Sequence, residues 1–122
     1  MKAKYSDGMP LIPIKVRGLR GEVEIKEAYL DSGAAKTLVS EALVLKLGLK
    51  YRADYPAITG SGKDVFKLYE ADVTFLGKTH HLYVVGRDLP EQARIRALIG
   101  RDVLDHYKVC LNGKSREITV EE

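Results

Sequence analysis

Residues Asp31, Ser32, Gly33 and Ala34 are consecutive, so a carboxylate is followed directly by a hydroxyl group and a glycine. An Asp-Ser-Gly run by itself is typical of an ordinary turn. Here it directly follows the apolar end of a predicted strand, and apolar residues resume shortly afterwards, at positions 38 and 39. The carboxylate is therefore expected at the edge of the core, where it could act as a general acid or base.

A second segment with a related pattern lies downstream. Residues 97–102 run from apolar Ala97, Leu98 and Ile99 into Gly100, and Arg101 and Asp102 follow. This pattern predicts a buried strand that ends at a glycine and leads into a short helical turn extending to residue 106. Either segment is a weak signal by itself, whereas the two together in this order are fairly specific.

Short strands are predicted to position these two segments. Residues 11–16 alternate, with Ile12, Ile14 and Val16 on one face, and residues 18–21 predict a hairpin turn into a strand that continues from Val23 to position 30. A brief strand at 37–39 then precedes a helix over 41–47. Ser40 is its predicted N-cap and Gly48 its stop.

The second half of the chain also predicts β structure. Strands at 57–59 and 65–68 flank a glycine-rich tip at 60–62, and 71–75 and 80–85 form another hairpin. An exposed loop covers 87–94 and a buried strand 95–99. Asn112-Gly113 predicts a type I′ hairpin between 108–111 and 117–120. Without repeats or a linker, the sequence predicts one all-β domain over 1–122 with one or two short helices.

At these motifs the sequence resembles the retropepsin-like aspartic proteases, over about residues 12–120. That family has a hydrophobic-hydrophobic-Asp-(Ser/Thr)-Gly loop, a flap hairpin, and a late hydrophobic-hydrophobic-Gly-(Arg)-(Asp/Asn) element. The resemblance implies a closed or partly open β-barrel. It also implies that Asp31 is the catalytic aspartate, that Ser32 joins the two active-site loops across a dimer, and that Gly33 lets the substrate backbone approach closely. Ala34 would complete this loop.

The resemblance also assigns the remaining site residues. The flap and its substrate contacts would comprise Ile58, Thr59, Gly60, Ser61, Gly62 and Val65. The late motif would pack beneath the catalytic loop as a structural element, formed by Leu98, Ile99, Gly100, Arg101 and Asp102. Many viral members carry an acidic residue after the loop alanine, where it pairs with the late arginine. This chain has Ala35 and Lys36 there, so Arg101 needs another partner and Lys36 could lie near the substrate.

Peptide hydrolysis requires a base that activates water and an acid that protonates the leaving group. Two carboxylates held close together share one proton and can perform both tasks. This chain has one Asp-Ser-Gly loop and no second Asp-Ser/Thr-Gly. The second carboxylate must then come from another copy, which predicts a homodimer with the site on its two-fold axis. The expected substrate is a peptide or unfolded protein, the expected activity lies on the acidic side of neutral, and no cofactor or metal is required.

Other site types are less well supported. His80 and His81 are adjacent on a predicted strand and should point to opposite faces, which is poor geometry for one metal ion. Ser32 lacks a motif-linked histidine base, which disfavours a serine nucleophile. The glycine-rich tip does not open a helix, which disfavours a phosphate site. The single cysteine, Cys110, is interpreted as a small buried residue.

Composition excludes several classes of partner. The 20 basic and 17 acidic residues are interspersed, so neither a nucleic-acid nor a membrane partner is implied. No apolar run approaches transmembrane length and no signal peptide is visible, which predicts a cytoplasmic protein.

Two other functions remain open. One is a binding or dimerisation module with the retropepsin fold but no proteolysis, since fold does not fix function. The other is a protease that processes only its own polyprotein. An intact Asp31 motif favours an enzyme over a scaffold, because a scaffold has no physical need for a carboxylate at a dimer axis.

Overall fold

The computed structural model describes residues 1–122, most of which form strands. In chain order, the elements are β1 (Lys2–Lys4), β2 (Ile14–Gly18), β3 (Gly21–Ile25), β4 (Ala28–Leu30), β5 (Leu38–Val39), α1 (Glu41–Leu47), β6 (Lys50–Thr59), β7 (Gly62–Phe75), β8 (Lys78–Gly86), β9 (Ala97–Ile99), α2 (Arg101–Leu104), β10 (Lys108–Asn112) and β11 (Glu117–Glu121).

Eight of the strands form one strongly bent sheet in the order β3-β2-β7-β8-β5-β9-β4, with β6 paired to β7. The sheet nearly closes into a barrel around apolar side chains, among which Ile14, Phe75 and Ile99 are almost fully buried. Inward side chains alternate with outward ones along β2 and the second half of β7, as expected for strands with one face on a core. The all-β prediction with two short helices is confirmed.

The β6–β7 hairpin extends beyond the sheet because β7 is unusually long. The second half of β7 pairs with β2, and its first half pairs with β6. Thr59 faces Gly62 at the end of this hairpin, so Gly60 and Ser61 form its tip, and Gly62 has a positive φ of 103°. The predicted hairpin and its tip are confirmed, but the predicted strands 65–68 and 71–75 are one continuous strand.

Helix α1 follows its sequence signals closely. The Ser40 side chain accepts a hydrogen bond from the Leu43 amide at 3.2 Å, as an N-cap should. Gly48 ends the helix in the left-handed conformation, with φ 62°. Both predicted caps are confirmed, and the helix buries Val44 and Leu47 against the core. Neither α1 nor α2 is long and apolar enough to cross a membrane.

The first two predicted strands have different limits in the structure. The strand expected over 11–16 begins only at Ile14, although Ile12, Ile14 and Val16 are all buried as predicted. The strand expected to continue from Val23 to position 30 is interrupted at residues 26 and 27, which separates β3 from β4. Strand β4 pairs in parallel with β9, and it is also hydrogen-bonded to residues 10–12, which precede β2.

The chain ends form a separate three-stranded sheet in the order β1-β11-β10. Strand β1 was not predicted, because three residues of mixed polarity carry no periodic signal. The predicted hairpin between residues 108–111 and 117–120 is confirmed, but its predicted type I′ turn is wrong, since Asn112 faces Glu117 across a loop of residues 113–116. The Asn112 side chain accepts hydrogen bonds from the amides of Lys114 and Ser115, both at 3.1 Å, which stabilises the longer loop.

Cys110 is exposed, so its interpretation as a buried residue is wrong. The alternation along β10 is real, but β10 lies at the edge of the small sheet and places only Val109 partly against the core. The buried side chains of this sheet, Ile118 and Val120, come from the central strand β11.

Candidate active site

Asp31 follows the last residue of β4 and is fixed by the neighbouring strand β9. Its amide donates a hydrogen bond to the carbonyl oxygen of Ile99 at 3.0 Å. Its carboxylate oxygen Oδ1 accepts a hydrogen bond from the Gly33 amide at 2.9 Å. The residue is half-buried, whereas Ser32 and Gly33 are exposed. The carboxylate therefore has a defined orientation at the edge of the core, next to backbone that is open to solvent.

Arg101 is hydrogen-bonded to the backbone of the loop that begins at Asp31. Its amide donates to the carbonyl oxygen of Ala34 at 2.8 Å, and its guanidinium nitrogen Nη1 donates to the carbonyl oxygen of Ser32 at 2.7 Å. The sequence left open which group would replace an acidic partner for this arginine. In the structure a backbone carbonyl takes that place, so the late motif holds the loop directly.

Thr37 forms a second connection between the two motifs, and the sequence did not reveal it. Its side chain is fully buried and its hydroxyl donates to Oδ1 of Asp102 at 2.7 Å. The Thr37 amide donates to Oδ2 of the same carboxylate at 2.9 Å, and the Gly100 amide donates to the threonine hydroxyl at 3.2 Å. Asp102 is thus a structural carboxylate, consistent with the support role predicted for the late motif.

A cleft of about 460 Å³ lies between this loop and the β6–β7 hairpin. The loop and α2 contribute Gly33, Ala34, Ala35, Lys36 and Arg101, the sheet contributes Leu38, Val85 and Leu98, and the hairpin contributes Tyr55, Ala57, Ile58, Thr59 and Phe66. Of the residues predicted to lie near the substrate, Lys36, Ile58 and Thr59 line the cleft. Predicted flap residues Gly60, Ser61, Gly62 and Val65 lie on the hairpin outside the lining.

The cleft is mostly apolar and partly open. Leu38, Phe66 and Leu98 are only half-buried, and Ile58 is 84% exposed. Several apolar side chains around one depression indicate a surface that is covered by a ligand or a partner. Sequence reasoning missed Phe66 and Val85, because only the pairing register of β7 and β8 shows that their side chains face the cleft.

Comparison with known proteins agrees with this architecture. No protein-family model and no curated protein matches the sequence, but solved structures match the fold. The protease of EIAV superposes with a TM-score of 0.58 at 16% identity, over 85% of this chain and 93% of that one. The retropepsin-like aspartic protease of Rickettsia conorii gives 0.57 at 16%, over 100% and 92%. The chain has the retropepsin fold. The retroviral protease-like domain of Leishmania major Ddi1 agrees, with 0.56 at 18% identity over 92% and 87%.

In this retropepsin fold, an ion pair fastens the hairpin to the sheet. Arg87 Nη1 lies 2.7 Å from Oδ2 of Asp64, and the guanidinium carbon lies 4.5 Å from the centre of the Phe66 ring. The Arg87 amide donates to the carbonyl oxygen of Val39 at 2.9 Å. We call Arg87 with Asp64 and Phe66 the hairpin latch. Exposed pairs of this kind contribute about 1 kcal/mol or less, so the latch favours one hairpin position without locking it.

The two adjacent histidines differ, as the strand geometry predicts. His81 is exposed and lies 2.7 Å from Asp72, whereas His80 is 9% exposed and its Nε2 lies 2.9 Å from the Tyr107 hydroxyl. The His80 ring also packs 5.0 Å from that of His106. No group of three or more His, Cys, Asp or Glu side chains is placed to hold a metal ion.

Burial lowers the pKa of His80 below its ordinary value of 6.5, with smaller contributions from His106 and Lys78 and an opposing one from Asp102. Above that value neither the folded nor the unfolded chain is protonated at this site. Below it the unfolded chain binds a proton that the folded chain resists, so stability falls as pH falls, until the folded pKa is reached.

Replacing His80 by glutamine is therefore expected to reduce the loss of stability as the pH falls below about 6.5. Glutamine cannot titrate, yet it keeps a polar group near the Tyr107 hydroxyl. The measurement is urea unfolding of wild type and His80→Gln at several pH values, with pH 8 as the reference at which only packing differs. Parallel stability curves for the two proteins would show that His80 does not contribute to acid sensitivity.

Proposed function

We propose that the chain is an aspartic endopeptidase in which two copies each contribute Asp31 to one catalytic dyad. The observation that carries the proposal is the placement of Asp31. Its carboxylate is oriented by the Gly33 amide on a loop that the late motif anchors, and that loop forms one wall of an apolar cleft. The retropepsin fold of the chain supports this assignment, and so do the proteases among its structural neighbours.

A homodimer is part of the proposal because one chain provides a single carboxylate of this kind. Ser32 and Gly33 are exposed beside Asp31, so they are available to a second copy related by a two-fold axis. Ser32 would then bond the backbone of the other loop, and Gly33 would allow the substrate backbone to pass close to the dyad. The half-buried apolar side chains of the cleft would be covered by the peptide and the β6–β7 hairpin, acting as a flap.

The chemistry follows from a pair of carboxylates that share one proton. The ionised carboxylate removes a proton from a water molecule between the two groups, and the water oxygen attacks the carbonyl carbon of the scissile bond. The protonated carboxyl group donates its proton to the carbonyl oxygen. Collapse of the tetrahedral intermediate breaks the C–N bond, and the leaving nitrogen takes a proton from the dyad. The free carboxyl and amine products then dissociate.

The proposal is tested by incubating the protein with an unstructured protein substrate between about pH 4 and 7, with and without pepstatin. We expect pepstatin-sensitive cleavage whose rate per chain rises with protein concentration, because dimers form as concentration increases. Sedimentation at the same concentrations measures the dimer fraction. Cleavage by a population of monomers would contradict the shared dyad. A folded dimer that binds peptides but never cleaves them would favour the binding-module alternative.

A further inference from the structure

The charged residues that line the cleft are all basic. Among the 13 residues that line it, the charged ones are Lys36 and Arg101, and there is no aspartate or glutamate. The Arg101 guanidinium already donates to the Ser32 carbonyl oxygen at 2.7 Å, so part of its hydrogen-bonding capacity serves the loop. Lys36 is therefore the cation that is free to meet a ligand.

Lys36 has no counter-ion in its own chain. None of the six ion pairs in the structure includes it, so no carboxylate lies within 4.0 Å of its ammonium group. The residue is half-buried and lines the cleft together with the apolar side chains of Leu38 and Leu98. An ionic contact beside apolar surface is stronger than the same contact in bulk water, because the local dielectric constant is lower.

The backbone of Lys36 is held firmly. Its carbonyl group packs against Gly100 so closely that a Cβ atom on that glycine would lie 2.5 Å from the Lys36 carbonyl carbon. The next residue, Thr37, is tied to Asp102 through both its amide and its hydroxyl. The Lys36 side chain therefore extends from a rigid backbone position, five residues after Asp31. A rigid backbone position is favourable for a residue that selects among ligands.

We propose that Lys36 makes the cleft selective for peptides with an acidic side chain close to the scissile bond, flanked by apolar residues that contact Leu38, Phe66 and Leu98. The inference rests on the proposed function and adds the substrate class. Since each copy supplies one Lys36, the dimer offers two such positions, one on either side of the bond that is cut. Charge complementarity of this kind mainly provides specificity, because an uncharged side chain leaves the ammonium unpaired.

The test uses pairs of apolar peptides that carry either glutamate or its neutral isostere glutamine at each position near the bond. We expect wild type to favour the best glutamate peptide about tenfold in kcat/KM and to lose part of this preference at high salt. Lys36→Met should bring the ratio close to one, and Lys36→Glu should favour a lysine-containing peptide. The control is Lys46→Met, which removes an exposed charge on α1 outside the cleft and should retain the wild-type ratio.

Binding of the same peptides to Asp31→Asn, measured by fluorescence anisotropy, separates this inference from the proposed function. If wild type cleaves nothing while Asp31→Asn prefers glutamate peptides and loses the preference when Lys36 is also changed, the protease proposal fails and the role of Lys36 stands. If wild type cleaves glutamate and glutamine peptides equally well, the protease stands and the inference is overturned. A glutamate preference that survives Lys36→Met also overturns it, as does the absence of any binding.

Discussion

Asparagine at position 31 is expected to lower the cleavage rate by a factor of about 1,000 or more. The amide cannot accept a proton from water, and in a homodimer the substitution removes both members of the dyad. Asparagine has nearly the same shape as aspartate, and its Oδ1 can still accept the hydrogen bond that the Gly33 amide gives Asp31. The fold and the dimer should therefore survive, which circular dichroism and sedimentation would verify.

A matched control for this variant is Asp105→Asn, because Asp105 is an exposed aspartate at the end of α2. It should cleave like wild type.

Mixing wild-type chains with Asp31→Asn chains provides a second check on the shared site. A tenfold excess of Asp31→Asn chains should lower wild-type activity about tenfold, since most wild-type chains then pair with an inactive copy. Full activity of Asp31→Asn, or no inhibition in demonstrably mixed dimers, would refute the dyad.

The second large effect is expected from alanine at Gly100, which should destabilise the protein by about 3 kcal/mol. An added Cβ would lie 2.5 Å from the carbonyl carbon of Lys36, 2.7 Å from its oxygen and 2.9 Å from the amide nitrogen of Thr37. All three are backbone atoms, so no side-chain rotation can relieve the overlap. The loop after Asp31 must move, which also disturbs the hydrogen bond between the Gly100 amide and Thr37.

Urea unfolding measures the stability loss, and cleavage of a peptide substrate measures the effect on the loop. Gly113→Ala is the matched control, because a Cβ at Gly113 meets no atom within 4 Å and the residue has no positive φ. It should stay close to wild type in both measurements. Wild-type stability of Gly100→Ala would mean that the two motifs are not packed as tightly as the structure shows.

Features with local causes could be predicted from the sequence. A serine that accepts from an amide three residues later and a glycine with positive φ define the ends of α1, and both signals are contained in a few consecutive residues. The β2–β3 hairpin and the β6–β7 tip have the same origin. Asp31 could be singled out as a candidate because its type, its glycine and the preceding apolar strand are adjacent in sequence.

Features that depend on distant partners could not be predicted. The Thr37–Asp102 pair joins residues 65 positions apart, and nothing in the sequence around either residue indicates the other. The walls of the cleft depend on the register of long strands, which alternation alone does not specify. Cys110 has the alternating pattern of a buried strand, but its strand lies at the edge of a small sheet, and edge position is a property of topology.

The hairpin latch has a consequence for how ionic strength affects the protein. It is an exposed ion pair, so added salt weakens it, and under the proposed function the hairpin would then lift more readily from the sheet. The same salt screens the attraction between Lys36 and an acidic side chain. We therefore expect that, as ionic strength rises, peptides enter the cleft faster, while the preference for acidic over neutral peptides becomes smaller. The rate of entry and the charge selectivity thus change in opposite directions.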